Sequence, residues 1–449
     1  MIETVLEENF DLKIEPSDWR FSSVISGLIE YFKFYSIDYK LDEEALYFNS
    51  EEFTNERYLE FVENKYSDDM HHKVVEGLLK KAEFTDEEIK FINEKLQAND
   101  IMKNKFKNIK FDRSNKTKIQ EIIDENRFEI IENTFKNKKN LYRNYINTNC
   151  FLKDEQSSCR LLGYSVDTNK KGKSLSYNFD TSNLKTSDSK IFDMIPFAFT
   201  GDRTSYFIND NISIENIFKT NNQFKKLYKA YKEENEKNNG KNIFFYSLIE
   251  AADFITYDVE VIKKEMNKDF FESLYIRKES LDILKKFPKH LDYRALDYNI
   301  QINEDYYINV SEKVLSAVLN EALLDDLIEL LIKNHKSYIA KQIIRVNWLI
   351  KKGDEEMNKD MKGAYACAKK VNETIEANKV ESYKQKLLNS IIFNDKDRTC
   401  QILMQLSAYS KVNFDFAYSI FEDFDKNKEI VYTFINALGK RSSKEETNE

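Results

Sequence analysis

Three prolines and nine glycines in 449 residues leave little material for tight turns, which excludes a loop-rich or repeat-turn architecture and favours long helices. Four cysteines (Cys150, Cys159, Cys367, Cys400) are too few and too scattered for a disulfide scaffold, so a reducing, cytoplasmic setting is expected. Only Cys150 and Cys159 lie near each other, and no histidine is close to them, so no zinc knuckle and no other metal or cofactor is predicted. The four histidines (His71, His72, His290, His335) form no recognisable catalytic set. There is no Gly-rich phosphate loop, no Gly-x-Ser-x-Gly and no His-Glu-x-x-His. No apolar run approaches the ~18 residues of a membrane span, and Met1 to Glu8 lacks the basic start of a signal peptide. A soluble protein without membrane contact is the expectation, and binding is favoured over reaction.

What is present is charge and helical periodicity. A third of the chain is charged, with net −9, but residues 1–70 hold 18 acids against 6 bases, leaving +3 for the remainder. Any surface for nucleic acid is therefore expected beyond residue 70. Two basic stretches, Lys103–Lys118 and Lys136–Arg143, read as solvated helix faces or as phosphate contacts.

The periodicity predicts a mostly helical α+β fold with a β-rich insertion and a C-terminal helical bundle. Ser17-Asp18 should start a helix through Trp19, Val24, Leu28 and Phe32. A β excursion is expected between Ile37 and Phe48, turning at Asp42–Glu44. Helices should fill Asn55 to about Tyr145, with Thr85 to Glu88 as a capping box. Asn242–Ile262 reads as buried and partly extended. Three segments result: a mostly helical 1–150, a mixed 151–353, and a bundle over 354–449 after the break at Gly353-Asp354.

Between Lys170 and Asn211 the helical text stops. Leu175, Tyr177 and Phe179 alternate with polar residues as in a half-buried strand, and Ile195–Phe199 with Tyr206–Ile208 reads as a hairpin turning at Gly201. Asn209 and Asn211 follow its second strand, with Lys170, Lys171, Lys173 and Arg203 on neighbouring loops. Amide side chains can read base edges while cations hold phosphates. A turn and helix cap before Ser213 is the competing reading of the Asn pair. A second basic region, Leu331–Lys352, has six Lys/Arg and no acid. As a helix it places Lys341, Arg345, Trp348 and Lys352 on one face and Ile339, Ile343, Val346 and Ile350 on another. The cations are candidates for backbone contact; Trp348 is a stacking or packing residue.

Several runs together resemble the large subunit of a type I-B CRISPR effector complex (Cascade), in the subfamily named for paired CXXC motifs. They are Ser174-Leu-Ser-Tyr-Asn-Phe-Asp, Ile195-Pro-Phe-Ala-Phe, Tyr206-Phe-Ile-Asn-Asp-Asn, Tyr257-Asp-Val-Glu-Val-Ile, Leu274-Tyr-Ile-Arg-Lys-Glu and Tyr383-Lys-Gln-Lys-Leu-Leu-Asn-Ser, spread over roughly residues 17–438. The paired cysteine motifs are absent, with only Cys150 and Cys159 in the corresponding region. The resemblance implies a non-enzymatic subunit that recognises the protospacer-adjacent motif in target double-stranded DNA, supports R-loop formation and recruits a helicase-nuclease. It implies as partners the crRNA, the backbone and crRNA-end subunits, and a small subunit that an internal start near Met357 or Met361 could supply. The alternative is a stand-alone helical defence nuclease whose site is not recognised.

Overall fold

A computed structural model of the chain describes residues 2–7, 10–138, 157–161, 164–166, 185–187, 190–210, 213–234, 243–266, 268, 271–287, 296–304, 306–353 and 355–439. They form a mostly helical α+β fold with small antiparallel sheets. Contacts divide the chain into two compact units, Met1–Lys226 with Asp258–Tyr275, and Leu227–Tyr257 with Ile276–Glu449. The boundaries read at 150 and 353 follow composition; these units follow packing.

The first unit opens with strands β1 (Ile2–Glu7) and β2 (Phe10–Ile14), which the sequence reading did not anticipate. Helix α1 (Trp19–Tyr35) starts at Asp18 as expected, because the Asp18 carboxylate accepts the amide protons of Arg20 and Phe21 at 2.8 and 3.3 Å. Strands β3 (Lys40–Leu41) and β4 (Leu46–Phe48) are the anticipated β excursion. Asp42 builds the turn by accepting from the amides of Glu44 and Ala45 at 2.9 and 2.7 Å. The four strands lie in the order β1-β2-β4-β3, all antiparallel.

Helices α2 (Asn55–Lys65), α3 (His71–Leu79), α4 (Asp86–Leu96), α5 (Asp100–Phe106) and α6 (Lys116–Lys138) follow. The capping box at α4 is formed, with Glu88 N donating to Thr85 Oγ1 at 3.2 Å and Thr85 N to Glu88 Oε2 at 3.0 Å. The long α6 serves two cores. Ile119, Ile123 and Ile130 pack with Val75, Leu96 and Phe106, whereas Ile131 and Phe135 join α1 and α2 around Phe32, Tyr58 and Phe61. Its apolar residues thus follow no single stripe.

Strands β5 (Ser157–Leu161), β6 (Tyr164–Val166) and β7 (Lys185–Ser187) form a sheet in the order β6-β5-β7. The strand expected at Leu175–Phe179 lies outside the described residues. The hairpin is present in a shorter form. Ile195–Ala198, read as a strand, is a helical turn (α7), since Pro196 in its first turn fixes φ and needs no amide partner. Strand β8 is only Thr200–Gly201, and β9 is Thr204–Asn209. Gly201 sits at φ 139°, where a β-carbon would stand 2.0 Å from the Thr204 carbonyl oxygen, so only glycine fits this turn. After helix α8 (Ile214–Glu234), the apolar stretch splits into helix α9 (Ile243–Ala251), of the second unit, and strand β10 (Val259–Glu265). With β11 (Phe271–Ile276) the sheet runs β11-β10-β9-β8.

Among the described residues, the remainder of the second unit is helical apart from one small hairpin. In order come α10 (Lys278–Lys285), β12 (Asn299–Gln301), β13 (Tyr307–Asn309), α11 (Val310–Leu319), α12 (Asp325–Lys333) and α13 (Ser337–Ile350). Then come α14 (Glu355–Thr374), α15 (Ala377–Ile392), α16 (Lys396–Ser410), α17 (Ala417–Glu422) and α18 (Lys428–Ala437). Helix α18 bonds back to α13, with Asn436 Nδ2 donating to the Ser337 carbonyl at 2.9 Å. Among the described residues no helix is long and apolar enough to cross a membrane.

Candidate nucleic-acid interface

Helix α13 divides its sequence as its periodicity predicts. Ile339, Ile343, Val346 and Ile350 are buried together with Ala340, Ile344 and Leu349, while Lys341 and Arg345 are exposed. Asn347, fully buried, holds the helix in place. Its Oδ1 accepts the Leu324 amide and its Nδ2 donates to Asp325 Oδ1, both at 2.8 Å, so it ties α13 to the start of α12. The helix ends where Lys352 turns left-handed at φ 55° and the Gly353 amide donates to the Trp348 carbonyl at 2.9 Å. Glycine is required there by contact. A β-carbon on Gly353 would stand 2.1 Å from the indole Nε1 of Trp348. Trp348 is therefore half-buried under its own helix terminus, a packing role.

Of the six cations between Leu331 and Lys352, two are engaged. Lys333 pairs with Glu329, and Lys351 donates to buried Glu429 Oε2 at 2.8 Å. Lys341, Arg345 and Lys352 are exposed and have no carboxylate within ion-pair distance among the described residues. Tyr338, three residues before Lys341, is 54% exposed. Helix α14 adds Tyr365, whose ring lies 5.9 Å from the Lys341 ammonium and 4.8 Å from that of Lys369. Lys336 lies over the Tyr298 ring at 5.1 Å. The result is a surface of cations interleaved with tyrosines on two consecutive helices. Tyr338 was readable from its spacing to Lys341; Tyr365 and Lys369 come from a helix whose neighbour only packing reveals.

Of the β-sheet candidates the structure describes Arg203 and Asn209, and it does not bring these two together. Lys170, Lys171, Lys173 and Asn211 lie outside the described residues. Arg203 is exposed at the β8–β9 turn, and its carbonyl accepts the Met266 amide at 2.8 Å. Asn209 sits at the other end of β9, six residues away or roughly 20 Å along a strand. It is only 2% exposed, and its Nδ2 donates to Glu260 Oε2 at 3.2 Å across the sheet. A base edge has no access to it, so the expectation that Asn209 reads bases is corrected to an interior strand position. Asp210 Oδ1 then accepts from the Ser213 amide at 3.3 Å, and Ser213 Oγ from Asn216 N at 3.1 Å, the turn and cap ahead of α8. Asn209→Ala should accordingly lower stability by about 1 kcal/mol and leave nucleic-acid discrimination untouched, as read by thermal melting beside duplex binding.

Two of the seven cations in the first basic stretch are paired, while Lys103, Lys107, Lys110, Lys116 and Lys118 are exposed and have no ion-pair partner among the described residues. Lys105 pairs with Glu129 at 2.5 Å and Arg113 with Asp86 at 2.7 Å. Of the second, Lys136 pairs with Glu132 within α6, and its last residues lie outside the described part. Cys159 stands on β5, and among the described residues no group of three or more potential ligands is placed to hold a metal ion.

The chain is a CRISPR-associated protein. The family model for CRISPR-associated protein Csx8 matches residues 10–241 and 225–438, and the chain belongs to that family. No curated protein and no solved structure matches it.

Proposed function

We propose that this chain is the non-catalytic large subunit of a type I-B CRISPR effector complex and that the α13–α14 surface holds the backbone of target DNA. One observation carries the reading: Lys341, Arg345 and Lys352 stand exposed beside Tyr338 and Tyr365, without acidic partners among the described residues, on a protein whose net charge is −9. Unneutralised cations interleaved with tyrosines favour a polyanionic ligand that also offers rings to stack. Family membership supplies the setting. That setting is CRISPR association and no more; on the proposed reading the subunit recognises the protospacer-adjacent motif, supports strand opening and presents the complex to a helicase-nuclease. Its partners are the crRNA-bearing backbone and crRNA-end subunits and a small subunit.

On this reading the face holds phosphates and grips DNA without sequence preference. Replacing Lys341, Arg345 and Lys352 together by alanine should weaken binding to motif-bearing and motif-lacking duplex alike, by about 10-fold or more near 0.1 M salt. The slope of log affinity against log salt should flatten by about 2 to 3. Filter binding across a salt series checks both. Unchanged affinity and slope would leave α13 an ordinary solvated helix.

A further inference from the structure

Helix α16 breaks the habit of the chain. A third of all residues are charged, yet Thr399 to Ser410 contains no charge at all. Its inner side is accounted for by buried Thr399, Ile402, Leu403, Leu406 and Ser410. The outer side is neutral as well: Gln401, Met404, Gln405, Ala408 and Tyr409 are exposed, with Met404 at 61% and Tyr409 at 57%. An exposed face depleted of charge and holding Met and Tyr has the composition of a protein contact. Charge returns at the two ends, as Lys396, Asp397 and Arg398 before the run and Lys411 after it. Asp397 and Lys411 are both exposed, and neither has an ion-pair partner among the described residues.

The spacing identifies what fits. Asp397, Met404 and Lys411 are seven residues apart, so they follow one stripe of the helix, with Met404 midway between opposite charges. Two such helices laid antiparallel about a two-fold axis at Met404 place each Asp397 beside the other copy's Lys411. Ala408 then faces Cys400, and small residues there allow close approach. The amides of Gln401 and Gln405 both donate and accept, so they satisfy their own kind. We propose that α16 is a self-complementary surface that pairs with α16 of a second copy of this chain. One helix face is a small interface, so the pairing is weak and reversible. It does not depend on nucleic-acid binding.

Sedimentation of the full chain over about 1–100 µM tests this. The expected result is a monomer–dimer equilibrium that Met404→Glu abolishes and Asp397→Lys weakens several-fold. Combining Asp397→Lys with Lys411→Asp should restore it, because the charges are again opposite. Met404→Cys, on the axis, should give a disulfide-linked dimer on oxidation, whereas Lys362→Cys, exposed on α14, should not. All are surface substitutions, and circular dichroism verifies folding. A monomer at every concentration, association indifferent to Met404→Glu, or failure of the double charge swap to restore pairing would each overturn the proposal.

Discussion

Replacing Arg127 by methionine should cost about 2–4 kcal/mol of stability and loosen the packing of three helices at once. Arg127 on α6 donates from Nη1 to Glu63 Oε1 of α2 at 2.6 Å, and from Nη2 to Glu76 of α3 and to Asp124 Oδ1 at 2.6 Å. His72 of α3, fully buried, lies with Nε2 2.7 Å from Glu63 Oε1, and Gln120 Nε2 donates to Glu76 Oε1 at 2.9 Å. Burial pushes the Glu63 carboxyl up, but the His72 hydrogen bond and the Arg127 charge outweigh it and hold it below the ordinary glutamate range. At Glu76 burial is likewise outweighed by the hydrogen bonds from Arg127 and Gln120. Without Arg127, two mostly buried carboxylates and Asp124 face one another, with Lys73, 3.2 Å from Glu76 Oε2, as the remaining ion-pair cation among the described residues. The stabilisation from a depressed carboxyl is present above the unfolded value, about 4.3, and is lost as pH falls through the folded value. The gap between wild type and variant should therefore be widest near pH 7 and shrink below about pH 4. Urea unfolding at several pH values measures it. A loss under about 0.5 kcal/mol would reduce this network to exposed ion pairs.

Local signals were legible in the sequence; contacts made across the fold were not. Asp18, the Thr85–Glu88 box and Ser213 could be read because a cap needs only residues within three positions of itself. The two faces of α13 could be read for the same reason. The edge strand β1, acid-bearing and without a long apolar alternation, gives no such signal; its pairing with β2 creates it. Phe197 and Phe199 alternate like a strand, yet Pro196 opens a helical turn that aims Phe197 at Tyr58, Phe61 and Phe135. At the candidate interface the cations of α13 were legible and the tyrosine between Lys341 and Lys369 was not, since it belongs to the next helix. Asn209 failed as a base reader for a related reason. Its partner Glu260 lies 51 residues away, on a strand that only sheet pairing brings alongside.

Replacing Lys351 by methionine should produce a pH signature of the same sign in the second unit, displaced to higher pH because the carboxylate there is buried and its pKa is raised. Lys351, at the end of α13, donates to Glu429 Oε2 of α18 at 2.8 Å and to the Asp425 carbonyl at 2.8 Å. Glu429 has no exposed surface, and its Oε1 has no hydrogen-bond partner among the described residues. Burial raises its carboxyl above the ordinary range, with the Lys351 charge only partly opposing it, and burial raises Asp325 in the same way. A carboxyl whose folded pKa is raised binds its proton more readily in the native state. Native stability therefore rises as pH falls through the folded value, and the gain is complete below the unfolded one, about 4.3. At pH 8 the Lys351→Met variant leaves a fully buried carboxylate without its cation, and the expected loss is about 3–5 kcal/mol. Near pH 5 Glu429 can take a proton instead, so most of that loss should disappear. Adding Glu429→Gln to Lys351→Met removes the charge outright and should recover much of the stability at pH 8 while flattening the pH dependence. Thermal unfolding of the full chain, with hydrogen exchange read over 325–333 and 428–437, follows the unit concerned. If the single variant is equally unstable at pH 5 and pH 8, the Lys351 contribution is packing of its aliphatic stem and the buried charge is not what the lysine compensates.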